Sequence, residues 1–449
     1  MALKLFGTDG IRGVANKFPM TGEFAFRLAE VLARLVCLNT RRVAIGKDTR
    51  VSSYMLESSL IAGFTAMGVD VVKMRVVPTP LMTAQMMDLN VDMGIMITAS
   101  HNPYRDNGIK LIDRNGDKFS DVWTAKIEAL LTSDEKFIPD PDQLGKVFKD
   151  KTSVPDYISR VMSIAPTEDA LKGLRLVIDC ANGAFSKIMP GIFKGLGAGI
   201  IVLSNTPDGY NINQDCGSQH TEHLSEVVVD SHAHLGIAVD GDGDRLIVVD
   251  DKGNRIDGDQ IIAFLATYLK NNDMLDNDGV VATVWSNLGL EKYLHGLGVN
   301  CYRTPVGERY VIEKMRLMSV VLGGEESGHI VLSNHARTGD ALIAALFVCF
   351  AFLADGRRAS DIFPVFEKCP CELKSVRYHN TEAMERAFEQ KEVQEIIEIS
   401  KQKTDLDGSV IVRKSGTEPV IKVRVEGEDA QFVSNVARQI VETLEKYKD

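Results

Sequence analysis

Three carboxylates at alternate positions, in Asp240-Gly-Asp-Gly-Asp-Arg245, can curl onto one point, because glycine permits the backbone angles of a tight loop. Like charges packed so closely raise one another's pKa unless a cation neutralises them. A hard divalent ion with oxygen ligands, Mg²⁺ above others, is the natural occupant of Asp240, Asp242 and Asp244. A calcium-binding EF-hand loop would place Gly sixth and Glu twelfth, whereas Arg245 and Asp251 stand there, and a strand rather than a helix precedes the loop. The plain alternative is an acidic turn on the surface. Arg245 is a local counter-charge for the three carboxylates.

A second stretch, Ile97-Thr-Ala-Ser100-His-Asn-Pro103, ends the apolar run that begins at Met93. Asn102-Pro103 bars helix and strand from continuing, so Ser100 and His101 stand at the carboxyl end of a central strand, where ligands bind in open α/β sheets. An ordinary capped turn is the alternative. A phosphorylated Ser100 would bring about −1.5 to −2 charges to the metal as a further ligand. Metal polarisation of a phosphoryl group on Ser100 then links the two loops in one transfer chemistry. Arg12, in the Gly-rich opening Phe6-Gly-Thr-Asp-Gly-Ile-Arg-Gly13, can stabilise the phosphoryl transition state. Lys110 and His101 are candidates to move a proton, a lysine base requiring a lowered pKa.

Two further loops carry polar side chains suited to a sugar phosphate. In Gly323-Gly-Glu-Glu-Ser-Gly-His329, the residues Glu325, Ser327 and His329 alternate and would face one side if the segment is extended. Carboxylate, hydroxyl and imidazole suit the hydroxyl or amino groups of a sugar. In Arg413-Lys-Ser-Gly-Thr-Glu-Pro419, Arg413 offers charge, Ser415 and Thr417 offer hydroxyls, and Gly416 lets backbone N–H groups approach an anion. Gly-rich and basic turns without a ligand are the alternatives.

The elements that must hold these loops alternate between strand and helix. Arg42–Gly46, Val69–Lys73, Met93–Thr98 and Lys110–Asp113 read as strands, with helices at Tyr54–Met67, Leu81–Asp88 and Trp123–Leu131. Such alternation implies parallel strands joined by right-handed crossovers. The polar stretch Ser133–Pro155 reads as a boundary. The pattern restarts through Leu174–Asp179, Ile200–Leu203 and Leu235–Asp240, and again through a helix from Asp259, Gly279–Thr283, Val299–Arg303 and Val320–Gly323. The last segment differs: strands at Glu372–Val376, Gly408–Arg413 and Val420–Glu426 and helices at Glu382–Ser400 and Ala430–Tyr447 make a small α+β unit. The expected division is 1–150 with the Ser100 loop, 151–257 with the metal loop, 258–368 with the sugar-binding loop and 369–449 as the phosphate-binding cap.

A chain of 449 residues exceeds the about 250–300 that a single core serves, so several domains are required. Acidic residues outnumber basic ones, 62 to 51, which argues against a nucleic-acid-binding surface but not against an anion held by a few local cations. Seven cysteines form no disulfide framework, and Cys369-Pro-Cys371 has no second pair to complete a zinc site, so a cytoplasmic location fits best. The opening residues have no signal-peptide core. The apolar run Ala341–Ala354 is too short to cross a bilayer and reads as a buried helix.

Thr98–Pro103, Asp240–Arg245, Gly324–His329 and Arg413–Pro419 resemble, in order, the phosphoserine, metal, sugar and phosphate loops of the α-D-phosphohexomutase superfamily. The resemblance implies three related mixed-sheet α/β domains around a cleft plus a smaller, mobile C-terminal α+β domain. It further implies a phosphoserine at Ser100, Mg²⁺ on Asp240, Asp242 and Asp244, and transfer through a sugar bisphosphate that turns over mid-cycle. Within the superfamily the chain is similar to the bacterial phosphoglucosamine mutase branch, in Phe6–Gly13, in Asp208-Gly-Tyr-Asn-Ile-Asn213 with Cys216-Gly-Ser218, in Val306-Gly-Glu-Arg-Tyr310 and in Arg413–Gly416. Thr98 stands where that branch often has Ser, Glu308 where it often has Asp, and Glu326 where it often has Gln. That branch implies a hexosamine phosphate substrate, interconversion of glucosamine 6-phosphate and glucosamine 1-phosphate, and glucosamine 1,6-bisphosphate or a similar activator. It also implies supply of UDP-N-acetylglucosamine for the cell wall, and a homodimer. A phosphomannomutase or phosphoglucomutase is the nearest alternative, and a non-catalytic sugar-phosphate sensor on the same fold is the alternative of another class.

Overall fold

The computed structural model describes residues 5–7, 9–133, 141–404, 408–414 and 419–448. They divide into two compact units, one of residues 1–285 with 299–365 and one of 286–298 with 366–449.

The first unit contains three sheets. β1 (Ile11–Val14), β2 (Arg42–Lys47), β3 (Asp70–Val76), β4 (Met93–Ile97), β5 (Asp106–Asp113) and β6 (Val147–Lys149) lie in the order β1-β5-β4-β2-β3-β6. Every residue of β4 is buried, as an uninterrupted apolar strand covered on both faces must be. α1 (Gly22–Leu35) and α2 (Ser52–Ala66) pack Leu28, Leu32, Leu56, Leu60 and Phe64 into one core with Val43, Ile45 and Ile95. Thr21 starts α1 by accepting from the Phe24 N–H. α4 (Asp121–Leu131) joins α1 and α2 on this face of the sheet, whereas α3 (Thr79–Gln85) covers the opposite one, where Met82 packs against Gly46 and Gly94. The polar stretch read as a boundary carries β6, which pairs parallel with β3. Val147-Phe148-Lys149 is too short an apolar run, and too exposed, to stand out as an edge strand.

α5 (Ser153–Met162) leads into the second sheet. It comprises β7 (Arg175–Asp179), β8 (Gly199–Leu203), β9 (Leu235–Val239), β10 (Leu246–Val249) and β11 (Arg255–Ile256), in the order β11-β10-β9-β7-β8. α6 (Met189–Gly195) and α7 (Glu222–Asp230) join its parallel strands. After α8 (Gly258–Asn271) the third sheet is built from β12 (Gly279–Thr283), β13 (Asn300–Thr304), β14 (Leu322–Gly324) and β15 (Ile330–Leu332). Its order is β13-β12-β14-β15. α9 (Leu288–Gly296) clusters with the second unit, whereas α10 (Glu308–Met318), α11 (Ala341–Asp355) and α12 (Ala359–Ile362) belong to the first. α11 is the buried helix expected from its composition, capped by the Asp340 side chain.

The sheets are mixed rather than purely parallel, and the departures share one cause. β4, β9 and β14 each lie among parallel strands, and each is followed by a tight turn and an antiparallel neighbour, β5, β10 and β15. A helical crossover would carry the chain away from the strand end; a tight return keeps the turn there. The three turns are the Ser100, Asp240–Arg245 and Glu325–His329 loops.

In the second unit β16 (Cys371–Arg377), β17 (Gly408–Lys414) and β18 (Val420–Gly427) form an antiparallel sheet in the order β16-β18-β17. The helix read over Glu382–Ser400 is two helices, α13 (Thr381–Phe388) and α14 (Lys391–Thr404). Gln394 Nε2 donates to the Phe388 carbonyl at 2.5 Å, taking up an acceptor freed by the break, which neither Gly nor Pro announces. α15 (Ala430–Glu445) packs Val433, Val436 and Ile440 onto Val423 and Val425. The Leu288 N–H of α9 donates to Glu426 Oε1 at 2.9 Å. All seven cysteines are free thiols. Among the described residues no helix is long and apolar enough to cross a membrane.

Candidate functional site

The turn after β4 holds Ser100 in the left-handed region, at φ 52°, with its side chain buried. Its Oγ donates to Asp240 Oδ2 at 2.6 Å, so the first and second loops meet. His101 Nδ1 lies 3.4 Å from the same hydroxyl. Burial, with the Arg245 and Arg12 cations, lowers the His101 pKa to about 3, so its imidazole is neutral at ordinary pH.

Asp240, Asp242 and Asp244 bring one oxygen each within 4.8 Å of one another, all buried at the end of β9. The intervening glycines are required. A Cβ on Gly241 would stand 2.8 Å from the Ser100 carbonyl oxygen, and one on Gly243, at φ 78°, 2.3 Å from the Phe185 ring. Asp240 Oδ1 accepts from the N–H groups of Gly243, Asp244 and Arg245, each at 3.1 Å, which closes the loop. Asp242 Oδ2 accepts from Thr79 Oγ1 at 2.5 Å.

Asp242 Oδ1 and Asp244 Oδ1 are buried and accept no hydrogen bond from the described residues. Burial, then Asp244 and Asp242, push the Asp240 carboxyl well above the usual carboxylate range. Asp244 is held well below it: burial opposes its charge, but Lys110, His329 and Arg245 outweigh burial. A set of three clustered carboxylates with unsatisfied oxygens fits a hard dication.

Lys110 lies on β5 opposite Met96 of β4. Its Nζ donates to Asp242 Oδ2 at 2.8 Å and Asp244 Oδ2 at 3.0 Å and lies 3.1 Å from Asp9 Oδ2. Burial works against its charge, yet the three carboxylates hold its pKa well above that of a free lysine. The lowered pKa expected of a lysine base is therefore absent: Lys110 is a proton-bearing cation here. Arg12 on β1 pairs with Asp9 at 2.7 Å, and Lys118 contacts both Asp9 and Glu308.

The third loop departs from the extended form. Residues 325–328 make a turn closed by the Gly328 N–H on the Glu325 carbonyl, so Glu325, Ser327 and His329 do not share one side. Glu325 Oε1 instead accepts from the Gly307 N–H at 3.0 Å, and Ser327 is half-buried. His329 is buried with Nε2 3.3 Å from Glu308 Oε1 and Nδ1 3.9 Å from Asp244 Oδ1. Burial resists its charge, but these carboxylates push its pKa up to about 10. His329 thus joins the third loop to the second. Arg245 Nε stands 3.8 Å from Asp244 Oδ1.

The geometry adds residues that spacing had not singled out. Asp9, Lys118 and Glu308 bridge Lys110, Arg12 and His329, and Thr79 supports Asp242. Asp9 lies inside the Gly-rich opening and Glu308 was visible as a departure from a related branch, but neither has a local pattern that names its partner. Arg413 is the penultimate residue of β17 in the second unit. Ser415, Gly416 and Thr417 lie outside the described residues.

Residues 3–137, 155–253 and 257–369 match alpha/beta/alpha domains I, II and III of the phosphoglucomutase/phosphomannomutase family, and residues 373–443 match its C-terminal domain. The chain is 44% identical over 453 residues to a phosphoglucosamine mutase of Rhodospirillum centenum, covering 99% of this chain and 96% of that one. It is 45% identical over 446 residues to a phosphoglucosamine mutase of Rhodospirillum rubrum, covering 98% of each. A crystal structure of a phosphoglucomutase/phosphomannomutase family protein from Burkholderia thailandensis shares the fold, with a TM-score of 0.79 at 23% identity over 98% of this chain and 97% of that one.

Proposed function

Because the chain belongs to the phosphoglucomutase/phosphomannomutase family, we propose that it interconverts glucosamine 6-phosphate and glucosamine 1-phosphate, with Ser100 as the phosphoryl carrier. The observation that carries the reading is the 2.6 Å bond from the Ser100 hydroxyl to Asp240 within a cluster of three buried carboxylates. A hydroxyl so placed is suited to hold a phosphoryl group where a metal and cations converge. Asp240, Asp242, Asp244 and the phosphoryl group on Ser100 would hold Mg²⁺, which supplies Lewis-acid polarisation and charge neutralisation when bound.

In the forward direction the P–O bond to Ser100 breaks as a P–O bond to the sugar's O1 forms, and the O1 proton leaves. The resulting glucosamine 1,6-bisphosphate turns over, and its 6-phosphoryl group passes to Ser100 while O6 regains a proton. Lys110 carries a proton and neutral His101 can accept one, so the pair offers a donor and an acceptor. Arg12 and Arg245 add positive charge for the equatorial phosphoryl oxygens. Glu325 and Ser327 are assigned to the sugar by their loop, with His329 supporting that loop through Glu308 and Asp244, and Arg413, Ser415, Gly416 and Thr417 to the non-transferring phosphate by their motif. The product supplies synthesis of UDP-N-acetylglucosamine, and a cytoplasmic location accords with that role.

A mutase assay with Mg²⁺ and a trace of bisphosphate tests the substrate. We expect kcat/KM for glucosamine 6-phosphate to exceed that for glucose and mannose phosphates at least about a hundredfold, ~2.7 kcal/mol. Equal or greater activity on the neutral hexoses moves the chain to the phosphomannomutase or phosphoglucomutase branch. No turnover on any of them favours a sugar-phosphate sensor.

A further inference from the structure

Ser100 adopts a left-handed backbone conformation that a residue with a Cβ holds only when its surroundings impose it. The surroundings here include a buried ion pair. Asp48 and Arg50 follow β2, the sheet neighbour of β4, and both are buried completely. Arg50 Nε donates to Asp48 Oδ2 at 2.9 Å. Its two terminal nitrogens donate only to carbonyls of the Ser100 turn: Ser100 at 3.0 Å, Asn102 at 2.7 Å, Asp106 at 3.0 Å, and Pro103. A guanidinium whose N–H groups all point at backbone and one carboxylate is spent on shape, since none is left to grip an anion.

Thr98 closes the circuit. Its Oγ1 donates to Asp48 Oδ2 at 2.6 Å and accepts the Ser100 N–H at 2.9 Å. The Ser100 peptide is therefore held from both ends, its N–H by Thr98 and its C=O by Arg50. From the loop before the metal site, Asn213 Nδ2 donates to the same Ser100 carbonyl at 2.8 Å and to that of Asn102 at 3.0 Å. With N–H and C=O both fixed, rotation about φ is closed off, and Oγ stays directed at Asp240.

We propose that Asp48, Arg50 and Thr98 are positioning residues that hold the Ser100 backbone in its left-handed conformation and so set the rate of phosphoryl transfer rather than the affinity for sugar phosphate. The inference rests on Ser100 being the phosphoryl carrier. Thr98→Val keeps the shape and removes the hydroxyl, whereas Thr98→Ser keeps the hydroxyl.

In the full-length protein with Mg²⁺ and bisphosphate, Thr98→Val should lower kcat about tenfold or more, ~1.4 kcal/mol, with KM within about twofold. Thr98→Ser should recover most of that loss. Should Thr98→Val fail to fold, Asn213→Ala removes another donor to the Ser100 carbonyl and is expected to show the same split. A folded Thr98→Val or Asn213→Ala with wild-type kcat, a loss confined to KM, or a loss that Thr98→Ser does not recover would overturn the proposal. Ser100→Ala separates the two failures: if it turns over normally the carrier assignment falls, and if it is inactive while Thr98→Val is normal only the positioning role falls.

Discussion

Replacing Lys110 with Met should separate the site's own cation from the dication it is built to receive. The ammonium lies 2.8 to 3.1 Å from the buried Asp242 and Asp244 and the half-buried Asp9. Removing one partner of a buried pair costs about 3–5 kcal/mol, because the surviving charge is left uncompensated. Lys110→Met keeps the side-chain volume, so little of that loss is cavity formation. Without Mg²⁺, the variant should therefore be less stable in urea by ~3–5 kcal/mol.

Added Mg²⁺ then acts in the opposite sense. Asp242 and Asp244, released from Lys110, should bind it at least about tenfold more tightly than in the wild type, ~1.4 kcal/mol. At a hundred times its Kd the metal returns about 2.7 kcal/mol. Isothermal titration with MgCl₂ and paired urea melts read the affinity and the stability directly, and neither depends on turnover. The rate should nonetheless fall, since a phosphoryl group held among these carboxylates loses a buried ammonium. Unchanged or weaker Mg²⁺ binding in a folded Lys110→Met protein would refute the shared use of these carboxylates.

Ser100→Ala should lower kcat by several orders of magnitude while substrate still binds, and a covalent phosphate expected by intact mass in the wild type should be absent from the variant; wild-type turnover would contradict the assignment. Asp340 gives a pH-dependent test that is read in stability and not in turnover. Burial raises its carboxyl from 3.8 to about 6, while its bonds from Tyr157 Oη and the Leu342 and Ile343 N–H groups partly offset this. A folded pKa above the unfolded one means that the ionised acid is disfavoured in the fold. Stability from this group thus falls as pH rises from about 4 to about 6 and is constant above, by ~3 kcal/mol in all. Asp340→Asn keeps an acceptor for the cap and cannot ionise. Its stability relative to wild type should climb by that amount across the same window in urea melts; a pH-independent difference would show that the fold tolerates the Asp340 charge.

Alternation of apolar runs and helical segments sufficed to place nearly every central strand, and the Gly-spaced Asp240–Arg245 run and the Pro-stopped Ser100 turn stood out because local chemistry alone constrains them. Residue type and spacing are local properties, so they marked the carboxylates as a candidate metal-binding set. The direction in which each strand returns is another matter. Three tight turns send β5, β10 and β15 back antiparallel, and this depends on which neighbour has an open edge in the folded sheet. Likewise the 389–390 break between α13 and α14 answers to packing, with no helix-breaking residue to mark it.

The roles of single charges were decided still later in the hierarchy. Lys110 was visible as a nearby lysine, but three carboxylates from two separate segments determine that it bears a proton. His329 was assigned to one side of an extended strand; a turn instead aims it at Glu308 and Asp244. Asp9, Lys118, Glu308, Asp48 and Arg50 carry no motif that names their partners, because each acts through contacts with distant parts of the chain. A sequence contains the charges, but their protonation and direction are set by burial and by the distances between segments, which exist only once the chain has folded.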